Sequence, residues 1–160
     1  MPSEMRLKIV SGGQTGVDRA AWDAAVKSGL ETGGFVPRGR LAEDGPIPAS
    51  YPNLTETESA GPAERTRANV IGSDGRLVFS RGALSGGTKL TIEFAREHER
   101  PFLHIDLSAG GTAPAIAETA NWLISNKIRT LNIAGPRASE DPSIYPAVLG
   151  FLLGLFRGLL

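Results

Sequence analysis

The chain has 160 residues, with 17 Lys and Arg against 17 Asp and Glu, so its formal net charge is zero. That balance gives no bulk attraction to nucleic acid or to an anionic membrane. It contains no cysteine, which excludes disulfides, thiolate metal sites and cysteine nucleophiles.

The length suits one domain, 1–160, and cysteine-free composition fits a reducing, cytoplasmic setting. Met1 to Arg6 lead straight into a strand-like run with no signal-peptide pattern. Strands are expected at Leu7–Val10, Leu77–Ser80, Phe102–Asp106 and Thr130–Ala134, with a weaker candidate at Gly34–Val36. Each is short, apolar and bounded by turn residues, as buried parallel strands are. Helical patterns fall at Gly16–Ser28, Thr88–His98, Pro114–Asn126 and from Pro142 to the end. The alternation predicts an α/β fold: a three-layer, doubly wound, mostly parallel sheet with ligands beyond its carboxyl edge. Pro37 to Pro62 breaks the pattern with five prolines. It reads as a lid, a binding loop or a loose surface excursion.

Three loops are expected at that edge. In "SGGQTGVD" a strand runs into a helix through Gly12, Gly13, Gln14, Thr15 and Gly16. Thr15 and Asp18 have the spacing of a capping box, and free amides at a helix start attract anions, phosphate above all. The competing explanation is a tight turn that needs positive φ. The segment lacks both the G-x-G-x-x-G and the Walker spacing. The second loop, "SGGTKLTIE", offers Ser85, Gly86, Gly87 and Thr88 before a helix that carries Glu93. The third, "LNIAGPRASEDP", places Gly135 and Arg137 past a strand end, with Asp141-Pro142 expected to open the next helix. Arg137 is either an anion ligand or a surface partner of Glu140 or Asp141. Arg38 and Arg40, and Arg65 and Arg67, are further candidates for an oxyanion. His98 and His104 have no metal-ligand spacing, and no Ser/His/Asp set stands out.

The segments "SGGQTGVDRAAWDAA", "RTRANVIGSDGRLVFS", "SGGTKLTIEFA" and "LNIAGPRAS" together resemble the motifs of the molybdenum cofactor carrier proteins. These in turn resemble the Rossmann-like group that includes the lonely-guy phosphoribohydrolases, formerly called lysine decarboxylases. The resemblance implies a nucleotide-type, phosphate-binding pocket lined by Gly12 to Gly16, Ser85 to Thr88, Gly135 and Arg137. It implies a phosphorylated pterin, the molybdenum cofactor, as carried ligand, with no protein-ligated metal, because the metal would arrive on its own dithiolene. It also implies a homo-oligomer, dimer or tetramer, and molybdenum enzymes as partners; neither nucleic acid nor membrane is expected. No catalytic residue is transferred.

The alternatives are a nucleoside 5′-monophosphate phosphoribohydrolase using Glu93, or a nucleotide-sensing module. Lys89 and Leu90 replace the Gly-Thr of the hydrolase motif. Finally, the terminal helix "IYPAVLGFLLGLFRGLL" is apolar nearly all round, which places it in a subunit interface or wedged within its own chain.

Overall fold

The computed structural model describes residues 6–160; most of the Met1–Arg6 approach therefore lies outside it. Eight strands and five helices follow in the order β1 (Lys8–Val10), α1 (Val17–Lys27), β2 (Glu31–Val36), β3 (Leu41–Ala42), β4 (Gly45–Pro46), β5 (Leu54–Glu56), α2 (Pro62–Ile71), β6 (Gly75–Ser80), α3 (Gly86–Glu97), β7 (Phe102–Asp106), α4 (Thr112–Ser125), β8 (Thr130–Ala134) and α5 (Ile144–Leu159). Six strands form one parallel sheet in the order β5-β2-β1-β8-β6-β7. β3 and β4 make a separate antiparallel hairpin.

Connection direction sets the layers. The β1→α1→β2 and β7→α4→β8 crossovers run one way along the sheet, while β5→α2→β6 and β6→α3→β7 run the other. Right-handed crossovers then put α1 and α4 on one face and α2 and α3 on the other. The packing agrees: α5 lies against both α1 and α4, and α2 against α3. This is the doubly wound α/β arrangement that the alternating pattern predicts. Every residue of β6 is buried, because both faces are covered. Leu77 and Phe79 enter the larger core, where Phe79 meets Phe151 edge-on at 5.1 Å between ring centroids.

Several boundaries and roles differ from the sequence reading. α2 is a helix that the apolar pattern does not announce, since its buried residues are Arg65, Thr66, Asn69 and Val70. α5 begins at Ile144 rather than at Pro142. The Asp141 carboxylate accepts from the Ser143 amide and hydroxyl, so Asp-Pro forms the turn before the helix. α5 is wedged between α1 and α4, with Ile144, Val148, Phe151, Leu152, Leu155, Phe156 and Leu159 all buried within the chain. Its outward side carries Ala147, Gly150, Arg157 and Gly158.

The Pro37–Pro62 segment is built rather than loose. β5 adds an edge strand to β2. Tyr51 packs against Trp22 with ring centroids 4.8 Å apart and planes tilted by 40°, and donates to Asp23 at 2.7 Å. The β3–β4 turn carries Glu43 and Asp44; Asp44 takes both forks of Arg19 at 2.7 and 2.8 Å.

Candidate functional site

β1 sends its helix to one face and β6 sends its helix to the other, so the loops after β1, β8 and β6 part and leave a crevice at the carboxyl edge. A cavity of about 220 Å³ lies there. Its walls include Gly12, Gln14 and Asp18 from the first loop and α1, and Pro62, Arg65, Thr66 and Asn69 from α2. Gly86, Gly87, Thr88 and Thr91 of α3 face it, with Asn132, Ala134, Gly135, Arg137 and Glu140 around β8. Of the sequence candidates, Gly12, Gln14, Gly86, Gly87, Thr88, Gly135 and Arg137 therefore meet, while Gly13, Thr15, Gly16, Arg38 and Ser85 are not in the wall. Arg38 is exposed on the hairpin approach. From Pro37–Pro62 only Pro62 reaches the cavity, so that segment braces the loops and does not roof the site.

The first loop is already occupied by the protein's own groups. Its central amides are not bare: Gln14 N–H donates to Asp18 Oδ2 at 3.1 Å and Thr15 N–H to the Gln14 side chain at 3.1 Å. Val17 N–H donates to Pro136 O at 3.2 Å. The capping box does not form. Gly16 is the N-cap of α1, without a side-chain cap. Thr15 instead donates to Glu43 and accepts from Ala138 N–H at 3.1 Å. Glu43 also accepts from the Ser139 amide and hydroxyl at 3.1 and 2.6 Å, and so ties the first loop to the third.

The glycines here serve packing. A Cβ on Gly12 would strike the Arg65 guanidinium, and one on Gly13 (φ 78°) would lie 2.6 Å from Ile47. Gly16 (φ 81°) would collide with Pro136 O.

The second loop is the reverse case. Ser85 gives α3 no side-chain cap. Among the described residues, the amides of Gly86, Gly87 and Thr88 have no hydrogen-bond acceptor. Nothing lies within 4 Å of a Cβ built on Gly87. Near Gly86 (φ 53°) the closest atom is a Glu140 carboxylate oxygen at 4.0 Å. No contact among the described residues demands a glycine at 87, and the positive end of α3 opens on the cavity.

The charges in the wall are paired. Arg65 is nearly buried and donates to Gly12 O at 2.7 Å, with Asp18 Oδ2 3.9 Å from the same nitrogen. Burial pushes the Asp18 carboxyl up to about 6, against the opposing pull of Arg65 and of the Gln14 amide. Arg137 is half-exposed and donates to Glu140 at 3.0 Å, which is the surface pairing that the sequence left open. Glu93 is exposed and outside the cavity wall. Arg65, a sequence candidate for an oxyanion, is in the wall too, whereas Thr66, Asn69, Thr91 and Asn132 are wall residues that the sequence reading did not single out. For Asn132 the available signal is an asparagine inside the apolar run of "LNIAG".

The chain matches the circularly permutated YpsA SLOG (cpYpsA) family from residue 9 to residue 156. The chain belongs to that family. This SLOG-family protein also resembles a solved structure from Syntrophus aciditrophicus SB, named as a molybdenum carrier protein. The two are 47% identical over 95% of each chain, with a TM-score of 0.91. No curated protein matches it. Among the described residues no helix is long and apolar enough to cross a membrane, and no cluster of His, Asp and Glu could hold a metal.

Proposed function

We propose that this protein carries or stores a phosphorylated small molecule at the sheet's carboxyl edge, and that the phosphate sits on the amides of Gly86, Gly87 and Thr88. The observation that carries the reading is the uncapped start of α3. Among the described residues, three unpartnered amides belong to residues that line a cavity, beside a glycine with open space at its Cβ position. Such a helix terminus favours a dianionic group by charge and by hydrogen bonding. Gly12–Gly16 is the weaker seat, because Asp18 and the Gln14 side chain already take the Gln14 and Thr15 amides.

The name of the similar structure favours the molybdenum cofactor as cargo. In that case the ligand brings its metal bound to its own sulfurs, and the protein supplies the phosphate seat and the polar cavity. Binding fits better than phosphoribohydrolysis, because Glu93, the acid of the hydrolase motif, lies outside the wall. A homo-oligomer belongs to the same reading. Gly150 and Gly158 on the outer side of α5 have open space above them, and Leu160 is 67% exposed.

Native mass spectrometry of the protein purified anaerobically from its source should show a bound phosphorylated ligand. Calorimetric titration with inorganic phosphate should show one site that Gly87→Val removes. A heat-silent titration, or release of free base from a nucleoside monophosphate, would defeat the carrier reading. Light scattering should report at least twice the chain mass; a monomer would remove the oligomer.

A further inference from the structure

An anion seat does not explain the floor of the cavity. Asn132 stands in β8 between Val10 of β1 and Arg76 of β6 in register. It is 3% exposed, lines the cavity, and its side-chain amide makes no hydrogen bond among the described residues. Buried amides are normally satisfied, so one left open into a cavity points to a partner that enters from outside.

The other polar groups in the wall are mostly spent. Asn69 gives its oxygen to Phe35 N–H at 2.8 Å and its amide to Phe35 O at 2.9 Å. Thr66 and Thr91 donate to Pro62 O and Gly87 O. Arg65 is pinned to Gly12 O. What remains for a ligand inside the cavity includes the Asn132 amide, the Thr88 hydroxyl and the Asp18 carboxylate, whose Oδ2 also accepts from Gln14 N–H.

The amide and the carboxylate select by chemistry. An ionised carboxylate only accepts, so its partner must present N–H groups. Two adjacent N–H donors on a planar ring suit the lone pairs that the carboxylate keeps beside the Gln14 bond, while the amide reads a further donor or acceptor on the same ring. We propose that Asp18 and Asn132 bind the 2-amino-4-oxopyrimidine edge of a heterocycle, the edge shared by guanine and by pterins. The proposal rests on the phosphate-seat reading above and adds the ring end of the same ligand. Adenine would turn an acceptor nitrogen toward Asp18 and be rejected.

The test is calorimetry at pH 8 with GMP, AMP, a phosphorylated pterin and inorganic phosphate. GMP and the pterin should each bind at least tenfold tighter than AMP; whichever of the two is tighter identifies the source of the ring. Asp18→Asn should bring GMP and AMP within about twofold of each other. Asn132→Ser should weaken GMP and the pterin at least fivefold, and it carries the test if a thermal melt shows the Asp18 variant unfolded. AMP binding as tightly as GMP and the pterin to the unmodified protein would overturn the proposal, as would a preference that survives both substitutions. Phosphate binding without ring preference overturns this inference alone, whereas no response to any of the four ligands overturns the phosphate seat itself.

Discussion

Replacing Asp18 with asparagine should stabilise the protein at neutral pH and give no such advantage in acid. In the folded chain burial lifts this carboxyl from 3.8 to about 6. Folding therefore prefers the protonated form. That preference is fully present below the unfolded value and is lost as pH rises through the folded one. The difference between the two values corresponds to about 3 kcal/mol, and the side chain is buried deeply enough that solvent does not screen it away. Asparagine stands in for the neutral acid at every pH.

The stability gap between variant and parent, read from urea unfolding, should therefore be near its floor at pH 4. It should widen through pH 5–6 and level off above pH 7, about 3 kcal/mol higher. Taking the gap cancels the other carboxylates, such as Asp106, whose bonds to Ser108 and Gly82 hold it down at about 2. A gap that stays flat from pH 4 to pH 8 would refute the argument and show that Asp18 is solvated.

Gly87→Ala should leave the unliganded protein as stable or raise its stability by about 0.4–1 kcal/mol, because nothing occupies the space of its Cβ. Gly16→Ala should lose about 2 kcal/mol or more, since φ 81° and ψ −125° suit glycine alone and Pro136 O stands in the way; thermal melts compare them. Glu140→Gln frees Arg137 and removes a carboxylate from above Gly86, so inorganic phosphate should bind tighter by about 0.4–1 kcal/mol. Arg137→Ala should weaken phosphate by about 1 kcal/mol in the same calorimetry, a modest loss for a half-exposed side chain. Arg76→Lys keeps a buried charge but loses the fork to the carbonyls of Val70, Ser73 and Pro101, and chemical denaturation should show a loss of about 1–3 kcal/mol.

The strands and helices that build the large core were legible because their apolar periods are clean; β7 and β8 fall where the run of residues puts them. α2 was not, and the reason is its position. Its inward face meets a polar cavity, so Arg65, Thr66 and Asn69 occupy places where a core helix would show Leu or Ile. β5 and the β3–β4 hairpin escaped because two- and three-residue pieces carry no period.

The glycine-rich first loop was legible as a special turn, but not as a turn that accommodates Arg65, Ile47 and Pro136. The similar Ser-Gly-Gly start of the second loop hides the opposite situation, open space. What separates the two loops is long-range packing, and that is absent from local sequence. The Asp18–Arg65 approach joins α1 to α2 and has no local signature either.

The position of β8 has a consequence for synthesis. The β5-β2-β1 ribbon and the β6-β7 ribbon share no strand pairing and are joined only through β8, which lies at Thr130–Ala134. A nascent chain can assemble each ribbon as it emerges, but the crevice between them has no floor until β8 slides into the gap and supplies Asn132. Threading a central parallel strand last is a non-local step of the kind that slows folding and leaves strand edges open to other chains in the meantime. Until β8 is in place the nascent chain has no complete cavity, so any ligand of this crevice has to wait for the synthesis of Thr130–Ala134.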